Sequence, residues 1–289
     1  KTIKKYQPDF VFHLAAQALV KKSYEKPIYT WHTNTIGTLN ILESLRELNK
    51  KCTVILITSD KSYKNLEIKR GYRENDTLGG IEPYSASKAS AELVIQSYIK
   101  SFFPAKKTKI FISVARAGNV VGGGDWSENR LIVDCIKSWS KNKKVLIRKP
   151  NSTRPWQHVL EPLYGYMLLA LNLQKNKKLH GEAFNFGPSN LNEYKVIFLA
   201  RLMKKYWKKV SWSISNNSKK SFYESNLLKL NSNKSRAKLK WKAILNINET
   251  IRMIAEWYKM YYSKTNKMYE VSFNQIKLYE KLLKKRSIK

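Results

Sequence analysis

Three side chains capable of acid–base chemistry follow one another at the end of an apolar stretch. The largely apolar run Thr53-Val54-Ile55-Leu56-Ile57 predicts a buried parallel strand, and Thr58, Ser59, Asp60 and Lys61 come directly after it. In open α/β sheets, ligands bind beyond the carboxyl ends of the strands. A hydroxyl, a carboxylate and an ammonium at that position therefore predict a proton-transfer site, although taken alone they also fit a polar turn.

A second pair of reactive side chains lies further along the chain, in Tyr84-Ser85-Ala86-Ser87-Lys88. Because the tyrosine and the lysine are four residues apart, they share one face of a helix. A nearby ammonium favours the phenolate, which is the form that a base acting on a hydroxyl needs near neutral pH. Many helices carry this spacing by chance, so its meaning depends on the strands that flank it.

The elements that must position these residues alternate regularly. Apolar runs at 9–14, 53–57 and 109–115 predict strands, and helical periodicity at 29–48 and 84–102 predicts the helices between them. This alternation is typical of right-handed crossovers in a parallel sheet. The predicted fold class is therefore α/β. Further along, a short strand is expected at 145–148 and a solvated, charged helix from residue 265 onward.

The composition leaves a nucleic-acid partner open but does not favour it. The chain of 289 residues has a formal net charge of +34, and its lysines are spread over the whole sequence rather than clustered. Cys52 and Cys135 have no metal-ligand spacing, so neither a metal site nor a disulfide is expected, and a reducing compartment, the cytoplasm, is predicted. No apolar run is as long as the stretch of about 18 residues that is needed to span a bilayer, so no membrane segment is expected.

Several stretches together resemble the extended short-chain dehydrogenase/reductase superfamily, and within it the nucleotide-sugar 4,6-dehydratases that act on CDP-glucose. The similarity runs in order from about Tyr6 to Met253. The stretches that carry it are His13-Leu14-Ala15-Ala16-Gln17, Asn34-Thr35-Ile36-Gly37-Thr38, Thr58-Ser59-Asp60-Lys61-Ser62-Tyr63, Gly71-Tyr72-Arg73-Glu74-Asn75-Asp76, Pro83-Tyr84-Ser85-Ala86-Ser87-Lys88, Arg116-Ala117-Gly118-Asn119-Val120-Val121-Gly122-Gly123-Gly124-Asp125-Trp126 and Arg154-Pro155-Trp156-Gln157-His158-Val159-Leu160-Glu161-Pro162.

This resemblance implies a redox-neutral dehydration that uses NAD and gives a 4-keto-6-deoxy sugar. By the carry-over, Tyr84 takes the proton of the C4 hydroxyl, Lys88 assists it and binds the nicotinamide ribose, and Ser59 hydrogen-bonds near the C4 oxygen. Lys61 matches the residue that removes the C5 proton, and Asp60 matches the acid that protonates the leaving C6 hydroxyl. For these roles Lys61 must first lose its proton and Asp60 must carry one, or the two share a single proton as a coupled unit.

The resemblance also implies the ligand contacts. The cofactor cleft would be lined by Leu14, Ala15, Ala16, Asn34 and Thr58, together with Tyr84 and Lys88. The nucleotide would be held by Asn119, Arg130, Arg154 and His158. Arg154 is the expected diphosphate ligand because its fork engages two oxygens at once, with pairing to Glu161 as the alternative. CDP-glucose is expected because Lys61 stands where dTDP-glucose dehydratases usually carry Glu.

The expected architecture is a Rossmann-like doubly wound parallel sheet with a smaller α/β substrate-binding domain. The NAD-binding part would span 1–117, the substrate-binding part 118–264 with a strand near 182–186 returning to the main sheet, and a charged tail 265–289. The family's Gly-rich pyrophosphate turn does not occur in this sequence. The N-terminal strands are therefore expected to be missing, with an exposed sheet edge and weak NAD binding of the 289-residue chain as consequences.

Two other functions stay open at this point. A nucleotide-sugar 4-epimerase uses the same tyrosine and lysine but needs no C6 elimination, so the Asp60-Lys61 pair favours dehydration. A noncatalytic, basic nucleic-acid-binding protein is the alternative from a different class, and it predicts tight, salt-sensitive binding to DNA or RNA. The resemblance also allows a homodimer that forms through the two long helices of this fold.

Overall fold

Strands and helices alternate along most of the chain in a computed structural model that describes residues 1–147, 149–188, 194–208, 210–214 and 227–287. The strands are β1 (Phe10–His13), β2 (Cys52–Ile57), β3 (Ile110–Ala117), β4 (Val120–Val121), β5 (Val145–Ile147), β6 (Thr153–Arg154), β7 (Gln157–His158), β8 (Ala183–Phe186), β9 (Tyr194–Lys195) and β10 (Trp212–Ile214). The helices are α1 (Thr2–Tyr6), α2 (Val20–Glu25), α3 (Pro27–Trp31), α4 (Gly37–Arg46), α5 (Pro83–Phe102), α6 (Leu131–Ser140), α7 (Leu160–Lys175), α8 (Val196–Met203), α9 (Asn233–Leu239), α10 (Ile247–Tyr262) and α11 (Met268–Ser287).

The chain folds into two compact units, each built from segments that are separate in sequence. Unit 1 comprises Lys1–Gly118, Leu163–Gly187 and Leu228–Trp241. Unit 2 comprises Asn119–Pro162, Pro188–Leu227 and Lys242–Lys289. The chain therefore passes from one unit to the other more than once.

Unit 1 is organised around a parallel sheet with the strand order β1-β2-β3-β8. The apolar runs at 9–14, 53–57 and 109–115 form β1, β2 and β3, so the predicted α/β fold is confirmed. The strand expected near 182–186 is β8, which pairs with β3. Since all these strands run in the same direction, their carboxyl ends lie along one edge of the sheet.

Side chains from both faces of this sheet are covered. Leu42 of α4, Leu56 of β2 and Ile95 of α5 belong to one buried cluster. Successive side chains of a strand point to opposite faces, so Phe111 of β3 lies on the other side. Its ring contacts the ring of His180, which follows α7, with 5.8 Å between the centroids. Coverage on both faces explains why the strands of unit 1 are almost continuously apolar.

Unit 2 is built on helices α6, α8 and α10, which surround a buried cluster that includes Trp139, Leu199 and Ile251. Its strands form short pairs. β5 and β10 are parallel, β4 and β7 are parallel, and β6 and β9 are antiparallel. The strand predicted at 145–148 is β5 as far as Ile147, and Arg148 lies outside the described residues.

The prediction of a solvated helix from residue 265 onward is wrong on one face of α11. Tyr279 of this helix is buried, and its hydroxyl donates to Glu161 Oε2 at 2.8 Å. Near the end of the helix, Arg286 forms an ion pair with Glu249 of α10 at 2.7 Å. The many lysines of this segment hid the face that packs, because long charged side chains occupy the positions around it.

Candidate active site

The end of β2 forms a tight turn that buries the predicted acid. Ser59 has an extended backbone, and its side chain begins a short 3₁₀ helix over Asp60–Ser62. Ser59 Oγ accepts from the backbone N–H of Lys61 at 3.2 Å and donates to Asp60 Oδ1 at 2.9 Å. The Asp60 side chain is 4% exposed, whereas Lys61 is only partly buried. The turn thus holds the carboxylate rigidly while leaving the ammonium reachable.

Helix α5, which carries the predicted base, begins at a strong capping box. The carboxylate of Glu82 accepts from the backbone N–H groups of Tyr84 and Ser85, at 2.7 Å and 3.1 Å, and Pro83 occupies the first helical position. This cap fixes the first turn of the helix. It therefore fixes the backbone at Tyr84, which is 8% exposed. Glu82 was not among the predicted site residues.

Lys88 connects this helix to the end of β2. Its Nζ donates to the backbone carbonyl of Ile57 over 3.5 Å, and the side chain is 6% exposed. Burial lowers the pKa of Lys88 to about 8, and the negative charge of Glu92 opposes that shift. Near neutral pH Lys88 is therefore mostly an ammonium. The structure brings the Tyr84-Lys88 helix and the Ser59-Asp60-Lys61 turn together at the same strand end.

Asn34 positions the loop after β1 by means of its amide group. It lies in a π-helical turn over His32–Ile36, a type of irregularity that is frequent at functional sites. Asn34 Oδ1 accepts from Gln17 N at 2.8 Å, and Nδ2 donates to Gln17 O at 3.0 Å and to Ser87 Oγ at 2.9 Å. Both amide N–H groups of the predicted cofactor residue are thus used to join the β1 loop to α5.

The other predicted cofactor residues lie on this loop or at the strand end. Leu14 and Ala15 are exposed and Ala16 is partly buried, so accessible residues, two of them small, follow β1. Thr58 is buried, and its hydroxyl donates to Glu92 Oε1 at 2.6 Å. Together with Tyr84 and Lys88 they lie near the carboxyl ends of β1 and β2, the edge at which ligands bind in open α/β sheets.

The four predicted nucleotide residues all lie in unit 2. Asn119 adopts a left-handed backbone with φ 52°, and its carbonyl accepts from Gln157 N. Arg130 pairs with Asp125 at 2.8 Å, and Arg154 Nη1 donates to Thr153 O at 2.8 Å. Glu161, the alternative partner of Arg154, accepts from the backbone N–H groups of Ile244 and Leu245 and from the Tyr279 hydroxyl.

His158 is a buried, neutral histidine with one defined tautomer. The ring is 1% exposed, burial lowers its pKa to about 4, and Nδ1 accepts from the backbone N–H of Leu160 at 3.3 Å. Since Nδ1 is an acceptor, the proton of the neutral ring lies on Nε2. That Nε2 has no hydrogen-bond partner among the described residues. The geometry supplies a buried donor of the kind that a ligand oxygen satisfies.

Sequence reasoning missed a buried ion pair behind the site. Arg116 of β3 donates through Nε to Glu92 Oε1 at 2.7 Å and through Nη2 to Glu92 Oε2, and both side chains are almost fully buried. Arg116 also donates to the hydroxyl of Tyr63 at 2.6 Å. A signal was present in the sequence, because an arginine inside an apolar strand needs a buried carboxylate partner.

Groups of three or more His, Cys, Asp or Glu side chains that could hold a metal ion are absent from the described ranges. Over the same ranges no helix is long and apolar enough to cross a membrane. Cys52 and Cys135 are buried free thiols, and burial raises the pKa of Cys52 to about 11. Near neutral pH Cys52 is therefore a protonated, unreactive side chain.

A parallel sheet with a tyrosine–lysine pair at its carboxyl edge defines a Rossmann-type α/β protein of the dehydrogenase/reductase class, and comparison with known proteins agrees. The model of the GDP-mannose 4,6 dehydratase family matches residues 1–254. The CDP-glucose 4,6-dehydratase of Salmonella typhimurium is 42% identical over 262 residues, which cover 89% of this chain and 72% of that protein. The UDP-glucose 4-epimerase of Mycoplasma pneumoniae is 30% identical over 211 residues, which cover 69% of this chain and 62% of that protein. The chain belongs to the GDP-mannose 4,6 dehydratase family.

Solved structures share the fold. A UDP-glucose 4-epimerase from Thermotoga maritima has a TM-score of 0.75 with 22% identity, and the match covers 90% of this chain and 80% of that one. A dTDP-glucose 4,6-dehydratase from Bacillus anthracis, in complex with NAD, has a TM-score of 0.71 with 21% identity. The match covers 89% of this chain and 75% of that one. These matches confirm the predicted Rossmann-like architecture, and the family match confirms the resemblance seen in the sequence.

Proposed function

We propose that this protein is an NAD-dependent CDP-glucose 4,6-dehydratase, which converts CDP-glucose to CDP-4-keto-6-deoxyglucose. The observation that carries the proposal is the meeting of two sets of residues at the end of β2. Asp60 and Lys61 lie in the turn after that strand, and Lys88 Nζ lies 3.5 Å from its last carbonyl, that of Ile57. The 42% identity to the Salmonella enzyme supports the same reaction and the same substrate.

The redox half of the reaction belongs to the residues of α5 and to Ser59. Tyr84, as phenolate, takes the proton of the C4 hydroxyl, and the ammonium of Lys88 favours that phenolate. Ser59 hydrogen-bonds near the C4 oxygen when its hydroxyl, which donates to Asp60 Oδ1 in the structure, turns to the bound sugar. NAD, when bound, supplies the hydride acceptor at C4 and the hydride donor at C6. The buried ammonium and the small side chains of Ala15 and Ala16 fit the nicotinamide end of this cofactor.

The elimination half belongs to the turn after β2. A carbonyl at C4 acidifies the C5 proton, and Lys61, acting as base, removes it and returns it to C5 when hydride is delivered to C6. Asp60 in its protonated form gives its proton to the leaving C6 hydroxyl, so that water departs. In the structure Ser59 Oγ donates to Asp60 Oδ1 at 2.9 Å, which orients the carboxyl group of the proposed acid. The two groups are adjacent, so they also fit a unit that shares one proton.

The nucleotide would be bound by Asn119, Arg130, Arg154 and His158. Arg154 has the fork that engages two diphosphate oxygens, and Arg130 is a second cation proposed for the binding of the nucleotide. His158 presents a buried Nε2–H donor, which suits an uncharged or phosphate oxygen. These roles follow the family pattern and are supported by the tautomer and burial of His158.

A 4-epimerase is the second candidate, because a UDP-glucose 4-epimerase is 30% identical over 69% of the chain. The two reactions share C4 oxidation and differ in their later steps. An epimerase needs no acid and base for C5 and C6, so a buried carboxylate beside a lysine would have no function there. The turn at Asp60–Ser62 therefore favours the dehydratase.

The expected assembly is a cytoplasmic homodimer without nucleic-acid or membrane partners. Leu93 and Phe102 of α5 are 58% and 45% exposed, which supports a helix-mediated contact between two copies. Sedimentation equilibrium tests the dimer. Filter binding of DNA and RNA at two salt concentrations tests the absence of a nucleic-acid partner. Nonspecific binding by dispersed lysines is expected to be lost at the higher salt concentration.

Incubation of the purified protein with a saturating concentration of NAD and either CDP-glucose or dTDP-glucose tests the function directly. We expect a 4-keto-6-deoxy sugar nucleotide from CDP-glucose, detected by mass spectrometry as the loss of one water. Product from dTDP-glucose alone would contradict the nucleotide assignment. A sugar epimerised at C4 without loss of water would instead establish the epimerase.

A further inference from the structure

A buried carboxylate lies one helical turn beyond Lys88. Glu92 occupies the position four residues further along α5 and is 1% exposed. Its Oε1 accepts from the hydroxyl of Thr58 at 2.6 Å and from Arg116 Nε at 2.7 Å, and its Oε2 accepts from Arg116 Nη2. Glu92 thus touches the residue that begins the reactive turn and shares a helix face with the lysine of the site.

Arg116 is itself held in place, so the carboxylate of Glu92 is fixed. The guanidinium donates to the hydroxyl of Tyr63 at 2.6 Å and to the carbonyl of Glu74 at 3.0 Å, and it lies 4.7 Å from the centre of the Tyr63 ring. Burying such an ion pair is often no more stabilising than packing apolar side chains of the same size. Its presence beside the site therefore calls for a reason other than stability.

The charges around Lys88 show what that reason is. On its own helix Glu92 is the charge that raises the pKa of Lys88 against the effect of burial. On β1, His13 is also close enough to respond, since burial and the charge of Lys88 both lower the pKa of His13. His13 is therefore neutral near pH 7 and does not repel the ammonium. The carboxylate of Glu92 is the group that favours the charged form of Lys88.

We infer that Glu92 is a positioning residue of the active site, whose carboxylate, anchored by Arg116, holds Thr58 at the end of β2 and places a negative charge one helical turn from Lys88. The inference deepens the proposed function and rests on it, because Lys88 matters to the reaction only as the cation that assists Tyr84. Glu92 acts through two neighbours, Lys88 and Thr58, and needs no contact with substrate.

The test measures the titration of Lys88 in the isolated chain, without cofactor or substrate. Competitive acetylation with acetic anhydride over a range of pH, quantified by peptide mass spectrometry, gives the pKa of Lys88 relative to the surface lysines. In Glu92→Gln we expect the pKa of Lys88 to fall by about one unit or more, since an opposite charge at this range shifts a pKa by about 1 to 3 units. The surface lysines should titrate as in the wild type.

Glu92→Gln leaves a buried guanidinium without its partner, so the double variant Glu92→Gln/Arg116→Met is the second arm. It removes both charges, and a fall in the pKa of Lys88 is expected there too. Glu43→Gln removes a carboxylate from the Glu43–Arg46 pair on α4 and is the matched control, with no change at Lys88. A wild-type titration of Lys88 in the folded double variant would overturn the inference. Because no turnover is measured, failure of the proposed function would leave this result unaffected.

Discussion

The carboxylate of Asp60 lies directly against the backbone of Gly118. A Cβ at position 118 would come within 1.8 Å of Asp60 Oδ2 and 2.1 Å of Asp60 Cγ. Gly118 follows β3, so the ends of two neighbouring strands define the place of this side chain. The acid of the proposed elimination step therefore depends on a glycine that is far from it in sequence.

Gly118→Ala should displace the Asp60 carboxylate and lower dehydratase activity about a hundred- to ten-thousand-fold, the size of one proton-transfer group. Gly37→Ala is the matched control, because its Cβ would meet only the carbonyl of His32, at 3.6 Å. At the start of α4 the control should gain up to about 1 kcal/mol of stability. Steady-state rates and thermal unfolding of both variants check this, and full activity of Gly118→Ala would contradict it.

Lys88→Met should stabilise the folded protein at neutral pH while abolishing activity. The pKa of Lys88 falls from its ordinary 10.5 to about 8 on folding, so folding disfavours the charged side chain by about 3 kcal/mol below pH 8. Between these two values the unfolded chain binds the proton more tightly, and wild-type stability rises with pH. We therefore expect the free energy of unfolding of Lys88→Met, measured with urea at pH 7, to be about 1 to 3 kcal/mol higher than that of the wild type. The difference should shrink towards pH 10, and a variant less stable at pH 7 would disprove the argument.

Asp60→Asn and Lys61→Met should separate oxidation from elimination. Both variants keep Tyr84 and Lys88, so reduced nicotinamide should accumulate in a single turnover while loss of water slows by about a hundred- to ten-thousand-fold. Tyr84→Phe is the comparison variant. Because it lacks the base for C4 oxidation, neither reduced nicotinamide nor loss of water should be detected. Elimination at the wild-type rate in both Asp60→Asn and Lys61→Met would refute the assignment of the acid and the base.

Asn34→Asp should loosen the loop after β1. The carboxylate cannot donate to Gln17 O or to Ser87 Oγ, so two buried hydrogen bonds are lost at a cost of about 1 to 3 kcal/mol. Hydrogen–deuterium exchange of residues 14–19 should then accelerate, and NAD affinity should fall with it. Asn40→Asp, at an exposed position of α4, is the control. Unchanged exchange in this loop would show that Asn34 does not position it.

His158→Gln should make the protein less sensitive to mild acid. Burial lowers the pKa of His158 from 6.5 to about 4, so the unfolded chain takes up a proton between these values that the folded chain does not. Wild-type stability therefore falls as the pH drops from 6.5 towards 4, by about 3 kcal/mol in total. Urea unfolding at pH 7 and pH 5 should show a smaller loss in the variant than in the wild type, whereas exposed His32→Gln should behave like the wild type.

The strands and the reactive residues of this protein follow from local sequence. An apolar run that ends in Ser59-Asp60-Lys61 can be recognised without a structure, because burial in a parallel sheet requires apolar residues and a ligand edge requires polar ones. The spacing of Tyr84 and Lys88 likewise places both on one helix face. These signals depend on neighbours within a few residues, so they can be recognised in the amino-acid sequence alone.

The distant residues that support them become visible in the folded protein. Glu92 accepts a hydrogen bond from Arg116, Glu161 accepts one from Tyr279, and Gly118 lies against Asp60. No sequence periodicity links the members of these pairs. Helix α11 shows the same limit, since its lysines indicated a solvated helix while Tyr279 is buried. The physical reason is that buried charges and close backbone contacts involve residues that the tertiary fold places next to each other. The fold itself is set by the packing of whole helices and strands.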